Sequence, residues 1–124
     1  MINKLSKQIH ENNKAKGFYD SEKNIGEMLA LIHSEVSEAL ECDRKGKYVK
    51  DDVALGWALS TSDDSHFYEE YFPETIKDTF EDELADIMIR VMDLAAYKNI
   101  DLEAHIKAKM RYNSLRPYKH GKRY

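Results

Sequence analysis

Residues 24–44 constrain this chain more than any other stretch. Ile25, Leu29, Ile32, Val36 and Leu40 recur there at three- and four-residue intervals, with no proline among them. An α-helix places such positions on one face, because its 3.6-residue turn aligns every third or fourth side chain; a strand would need alternation. The spacing predicts a helix from about Asn24 to Arg44, closed by Gly46. A second long helix is predicted from Phe80 to about Lys98, capped by Thr79 and ended by Asn99. Glu81 and Asp82 in its first turn complement the helix dipole, and its apolar stripe is Leu84, Ile87, Met88, Val91 and Ala95.

Two shorter helices flank these. Residues 2–15 carry Ile2, Leu5 and Ile9 at helical spacing, with Gly17 as the stop. Residues 102–113 follow a cap at Asp101, with Leu102, Ile106 and Met110 expected to face inward. Residues 47–79 read differently, with Gly56, Trp57, Pro73, a Ser/Asp run and the aromatics Phe67, Tyr68, Tyr71 and Phe72. A short helix over Val53–Leu59 followed by a Ser/Asp turn is the expectation, since a structureless loop of that length is unusual in a small domain. The tail from Arg116 to Tyr124 is basic. The fold class expected is all-α, a bundle of four to five helices in one domain spanning 1–124, its core completed by a second copy.

Composition narrows the function classes. The net charge is −4 with 34% charged residues, so no bulk basic field draws nucleic acid, and phosphate recognition must be local. One cysteine, Cys42, forms no intrachain disulfide and fits a reducing compartment and a buried apolar role. No apolar run approaches the roughly 20 residues of a membrane span, and the first residues lack a signal-peptide core. A cytoplasmic location is therefore expected, with no membrane partner.

The chemistry-bearing pattern is a pair of carboxylate pairs. Glu35 and Glu38 lie three apart on the first long helix, and Glu83 and Asp86 repeat the offset on the second. Each pair occupies the shoulder of its helix's apolar stripe, so helices meeting by those stripes bring all four acids to one rim. Such a group repels itself unless a hard divalent cation neutralises it, and Mg²⁺ (or Mn²⁺) takes oxygen ligands. The other reading is two solvated acidic faces. Cys42 and the five histidines, His10, His33, His66, His105 and His120, make no zinc pattern, and the Glu-x-x-His pairs of di-iron bundles are missing.

The segments Leu31–Glu41 (LIHSEVSEALE) and Glu81–Ala95 (EDELADIMIRVMDLA) resemble the MazG-like nucleoside triphosphate pyrophosphohydrolases. That family's ExxE stands here as Glu35–Glu38 and its ExxD as Glu83–Asp86. Asn99–Pro117 resembles its closing helix, and the likeness spans 25–46 and 80–121, about half the chain. Residues 39–82 form a longer interval between the motifs than the family's usual one, a departure that bears on substrate choice. The resemblance implies Mg²⁺-dependent hydrolysis between the α and β phosphates of a (deoxy)nucleoside triphosphate, in a homo-dimer or homo-tetramer. It implies metal ligation by Glu35, Glu38, Glu83 and Asp86, with Glu38 chosen as general base although spacing does not separate it from Glu35. Arg90 either holds a phosphate or pairs with Glu83 or Asp86. Lys109, Asn113 and Arg116 are candidates for the pyrophosphate end, where the leaving group gains charge. Phe18 and Trp57, with Tyr19 and Phe67, are available to stack on the base or to serve as packing. The rival readings are a phosphoribosyl-ATP pyrophosphohydrolase and a non-catalytic helical interaction module.

Overall fold

A computed structural model describes residues 1–50, 52–60 and 67–124. Among them every regular element is helical: α1 (Ile2–Ala15), α2 (Ile25–Arg44), α3 (Asp52–Ser60), a π-helical turn (Phe67–Tyr71), α4 (Phe72–Thr75), α5 (Phe80–Tyr97), α6 (Leu102–Ser114) and a 3₁₀ turn (Tyr118–Gly121). The all-α expectation holds for the described residues. No helix among them is long and apolar enough to cross a membrane. The predicted Ser/Asp turn falls largely on residues 61–66, outside the described chain.

Local chemistry sets the boundaries. The Asn24 side chain accepts from Glu27 N–H at 3.1 Å and starts α2. Asp101 accepts from Ala104 N–H at 3.0 Å and starts α6. Thr79 Oγ1 accepts from Asp82 N–H at 3.3 Å at the head of α5. Three helices stop in the same way. Gly46, at φ 65°, follows α2, with Gly46 N–H bonded to Asp43 C=O and Lys47 N–H to Cys42 C=O. Gly17 after α1 and Asn99 after α5 repeat the paired bonds of this left-handed cap.

Two compact units divide the chain, 23–90 and the combination of 1–22 with 91–124. In the first, the strap after α2 lies along the head of α5: Phe80 N–H bonds Lys47 C=O at 2.8 Å and Val49 N–H bonds Glu81 Oε2 at 2.9 Å. Within α3 and residues 67–76, Ala54, Phe67 and Ile76 form a small core with Trp57, Tyr71 and Phe72 packed against it. The described part of the interval between the two acidic motifs thus packs around its aromatics.

In the second unit, Asn3 joins the starts of α1 and α6. Its amide donates to Asp101 Oδ1 at 2.6 Å, and its oxygen accepts from Glu103 N–H at 3.2 Å. That N–H belongs to the first turn of α6, where no backbone partner exists.

The long helices are rotated from the expected faces. On α2 the buried residues are Glu35, Ala39 and Cys42, while Leu29, Val36 and Leu40 stay about half exposed. On the first three turns of α5, Glu83 is buried and Asp86, Ile87 and Arg90 are half-buried, while Leu84 and Met88 are exposed. The turn is partial, since Ile25 and Ile32 of the α2 stripe and Ile87 and Val91 of the α5 stripe are half-buried and Ala95 is buried. On α6, Leu102 and Ile106 are half-buried as expected, whereas Met110, also expected inward, is exposed.

Candidate metal centre

The rotation moves the carboxylates from the expected rim into the contact between α2 and α5. Oxygens of Glu35, Glu38 and Glu83 all lie within 4.8 Å of one another, with Glu35 and Glu83 buried and Glu38 exposed. An octahedron with Mg–O bonds of about 2.1 Å spans about 4.2 Å between opposite oxygens, so the three converge at the scale of one hard cation. Asp86, the fourth predicted ligand, lies outside this trio but near enough for its charge to act on Glu83. A second trio, Asp78, Asp82 and Glu83, shares Glu83 with the first.

Glu83 is the strained member. It is 4% exposed, and its Oε2 is buried without a hydrogen-bond partner among the described residues. An unpaired buried carboxylate oxygen is costly. Burial first, then a hydrogen bond with Glu38 and the charges of Glu38, Asp86 and Glu35, push its carboxyl up to about 7. A carboxyl raised in this way keeps its proton more readily than an ordinary glutamate, which eases the repulsion within the trio. Asp86 is also raised, by burial and then by Asp82 and Glu35, with Arg90 opposing. The unpartnered oxygen, the hard donors and the mutual distances together fit a divalent cation.

Arg90 takes neither partner proposed for it on its own helix. Its Nε donates to Glu35 Oε1 at 2.7 Å, across the α2–α5 contact. Spacing along α5 could only suggest partners on α5. The link to Glu35 follows from how the helices face each other.

The remaining predicted residues are distributed over both units. Trp57 is half-buried, with its ring 5.0 Å from Phe67 and 5.4 Å from Tyr71, in the packing role weighed for it. Phe67 is fully buried and offers no face to a base. Phe18 is 59% exposed on the turn after α1. Tyr19 donates to Asp93 Oδ2 at 2.6 Å, and burial and Asp93 push its phenol far above the usual range. Lys109 and Arg116 both stand over the Tyr112 ring, at 5.0 and 5.5 Å from its centroid, and Asn113 is half-buried beside them in sequence. Cys42 is buried, its Sγ 3.4 Å from Asp78 C=O, as expected of a small apolar residue.

Sequence reasoning missed Asp78, Asp82 and Asp93. Asp93 was detectable as a charged residue inside the run Val91–Ala95, where apolar neighbours leave a carboxylate little choice but to find donors. No family model matches the chain, and no curated protein or solved structure matches it.

Proposed function

We propose that the chain is a Mg²⁺-dependent hydrolase of (deoxy)nucleoside triphosphates, cleaving between the α and β phosphates in the manner of the MazG-like enzymes it resembles. The observation that carries the reading is Glu83 Oε2, buried and unpaired among Glu35 and Glu38. Glu35, Glu38 and Glu83 hold the ion, with Asp86 beside them as the further carboxylate. When bound, Mg²⁺ (or Mn²⁺) supplies charge neutralisation for the triphosphate and acidifies a coordinated water.

Burial separates the roles of the two α2 glutamates. Glu35 is buried and ion-paired with Arg90, whereas Glu38 is the exposed member of the trio. Glu38 is thus the carboxylate that takes the proton as a water attacks the α phosphorus. The bond from that phosphorus to the bridging oxygen breaks, and its electron pair leaves with pyrophosphate. Arg90 restrains Glu35 and limits the repulsion within the trio. The pyrophosphate-end residues Lys109, Asn113 and Arg116 and the base contacts Phe18 and Trp57 rest on the resemblance alone. The half-exposed Leu29, Val36 and Leu40, with Leu84 and Met88, support a dimer or tetramer in which a second copy covers them.

The test is a panel of NTPs and dNTPs with Mg²⁺ or Mn²⁺, with products separated. Monophosphate and pyrophosphate are expected. Orthophosphate would overturn α–β cleavage, turnover of phosphoribosyl-ATP alone would move the assignment to that substrate, and no turnover with no Mg²⁺-induced thermal shift would favour an interaction module.

A further inference from the structure

Helix α1 turns a polar line inward. Asn3, Ser6, His10 and Asn13 follow at i, i+3, i+7 and i+10, a single line on a helix, and all are buried or half-buried while Leu5 is exposed. Ile2 and Ile9 are half-buried beside this line, and Leu5 alone of the helix's three spaced apolar residues is left exposed while Ser6 is buried. Departures from local patterning of this kind collect where function maintains them.

The inward line opens on a cleft of about 550 Å³ within the same unit. Ser6, Lys7 and His10 line one wall, and Tyr97, Asn99 and Asp101 the other. The volume is that of a small-molecule site. His10 is held in place there: its Nδ1 lies 2.9 Å from Oδ1 of the buried Asp93, whose Oδ2 accepts from Tyr19 Oη at 2.6 Å. With Nδ1–H donated to Asp93, Nε2 is left for a ligand, and it has no hydrogen-bond partner among the described residues. That edge is able to share a hydrogen bond with an oxyacid.

Glu11 pairs with Lys14 at 3.1 Å, while Asp101 accepts from two neutral donors, the Asn3 amide and Ala104 N–H, and keeps its charge. Lys7, one turn before His10, has no ion-pair partner among the described residues. The unengaged groups at the cleft are therefore an ammonium and an imidazole edge. We propose that this cleft is a second ligand site, taking a small oxyacid (a phosphate or a carboxylate) with its acidic end on Lys7 and His10. The proposal uses none of the carboxylate centre's residues and does not rest on the hydrolase reading.

The test follows the His10 ring signals by NMR in the full chain, without divalent cations. The probes are inorganic phosphate, ribose 5-phosphate and succinate, with sodium chloride as the ionic-strength control. A saturable shift of the His10 signals with at least one probe is expected, and which probe saturates distinguishes free phosphate, phosphate ester and carboxylate. In Lys7→Ala the midpoint should rise by about tenfold, since a charge-assisted hydrogen bond is lost; Lys7→Arg should largely restore it. A drift matched by sodium chloride, no shift at all, or a Lys7→Ala titration like that of the native chain would overturn the proposal.

Discussion

Arg90 Nε donates to Glu35 Oε1 at 2.7 Å, so a guanidinium from α5 enters the carboxylate cluster and engages one of its three converging members. The pair couples the stability of the metal-free chain to cation binding. Arg90 partly neutralises the trio, and a bound cation would neutralise it further.

Arg90→Ala should destabilise the metal-free chain by about 1 kcal/mol, the figure kept low because the guanidinium is partly exposed. The thermal shift on adding Mg²⁺ should become larger than in the native chain, because the cation then relieves more repulsion. Arg90→Lys should recover little, since an ammonium does not reproduce the Nε geometry. Thermal denaturation with and without Mg²⁺ checks all three; an unchanged Mg²⁺ shift in Arg90→Ala would argue against coupling.

Glu83→Gln should abolish the Mg²⁺-induced thermal shift and lower turnover by about a hundredfold or more, as a ligand should matter at least as much as the groups that support ligands. The metal-free variant should melt no lower than the native chain at pH 8, because a neutral amide removes the repulsion at a site that otherwise resists ionisation. A full Mg²⁺ shift in this variant would remove Glu83 from the site.

The raised Glu83 carboxyl fixes the sign of a pH effect. The folded chain holds this proton more tightly than the unfolded chain, whose glutamate titrates near its ordinary value of 4.5. Its contribution to stability is complete below that value and is lost as pH rises through about 7. The metal-free melting temperature should fall over that interval. Saturating Mg²⁺ should remove or reverse the fall, because a cation takes the ionised carboxylate. Melting curves from pH 5 to 8 with EDTA or with Mg²⁺ measure it, and parallel curves would contradict the assignment.

Leu40→Glu should convert the proposed dimer or tetramer to a monomer with unchanged helix content, since Leu40 is 50% exposed on the outward stripe of α2. Light scattering across concentrations reads the outcome. A native chain already monomeric at high concentration would refute the proposed assembly.

Phe67→Ala should cost about 3–5 kcal/mol, because the ring is fully buried between Ala54 and Ile76 and its removal leaves a cavity. Chemical denaturation gives the number. A loss below 1 kcal/mol would mean that the small aromatic core tolerates collapse.

The aromatics of residues 47–79 show where legibility ended. Their clustering in the sequence announced structure of some kind, and the helix expected over Val53–Leu59 is present as α3. Nothing in the spacing announced that Phe67 would be the centre and Trp57 the flank. A period identifies a face, whereas a packed cluster depends on residues brought together across turns. The same holds for Asp93, which α5 presents to His10 on α1 and to Tyr19 beyond it.

Helix positions and ends were determined by the sequence alone. Caps such as Asn24, Thr79 and Asp101, and the left-handed stops at Gly17, Gly46 and Asn99, act on groups within a few residues and need no tertiary partner. The i, i+3 spacing likewise obliged Glu35 with Glu38, and Glu83 with Asp86, to share a side of their helices. Rotation about the helix axis was decided only in the tertiary structure. Leu29, Val36 and Leu40 offer the more apolar line, yet Glu35, Ala39 and Cys42 are the residues buried on α2. A helix can exchange one face for another when a neighbour supplies compensating groups, and Arg90 supplies one to Glu35 here. That rotation, set by the partner helix and not by the period, brought three of the four acids expected at a rim, Glu35, Glu38 and Glu83, into a cluster with a buried, unpaired oxygen.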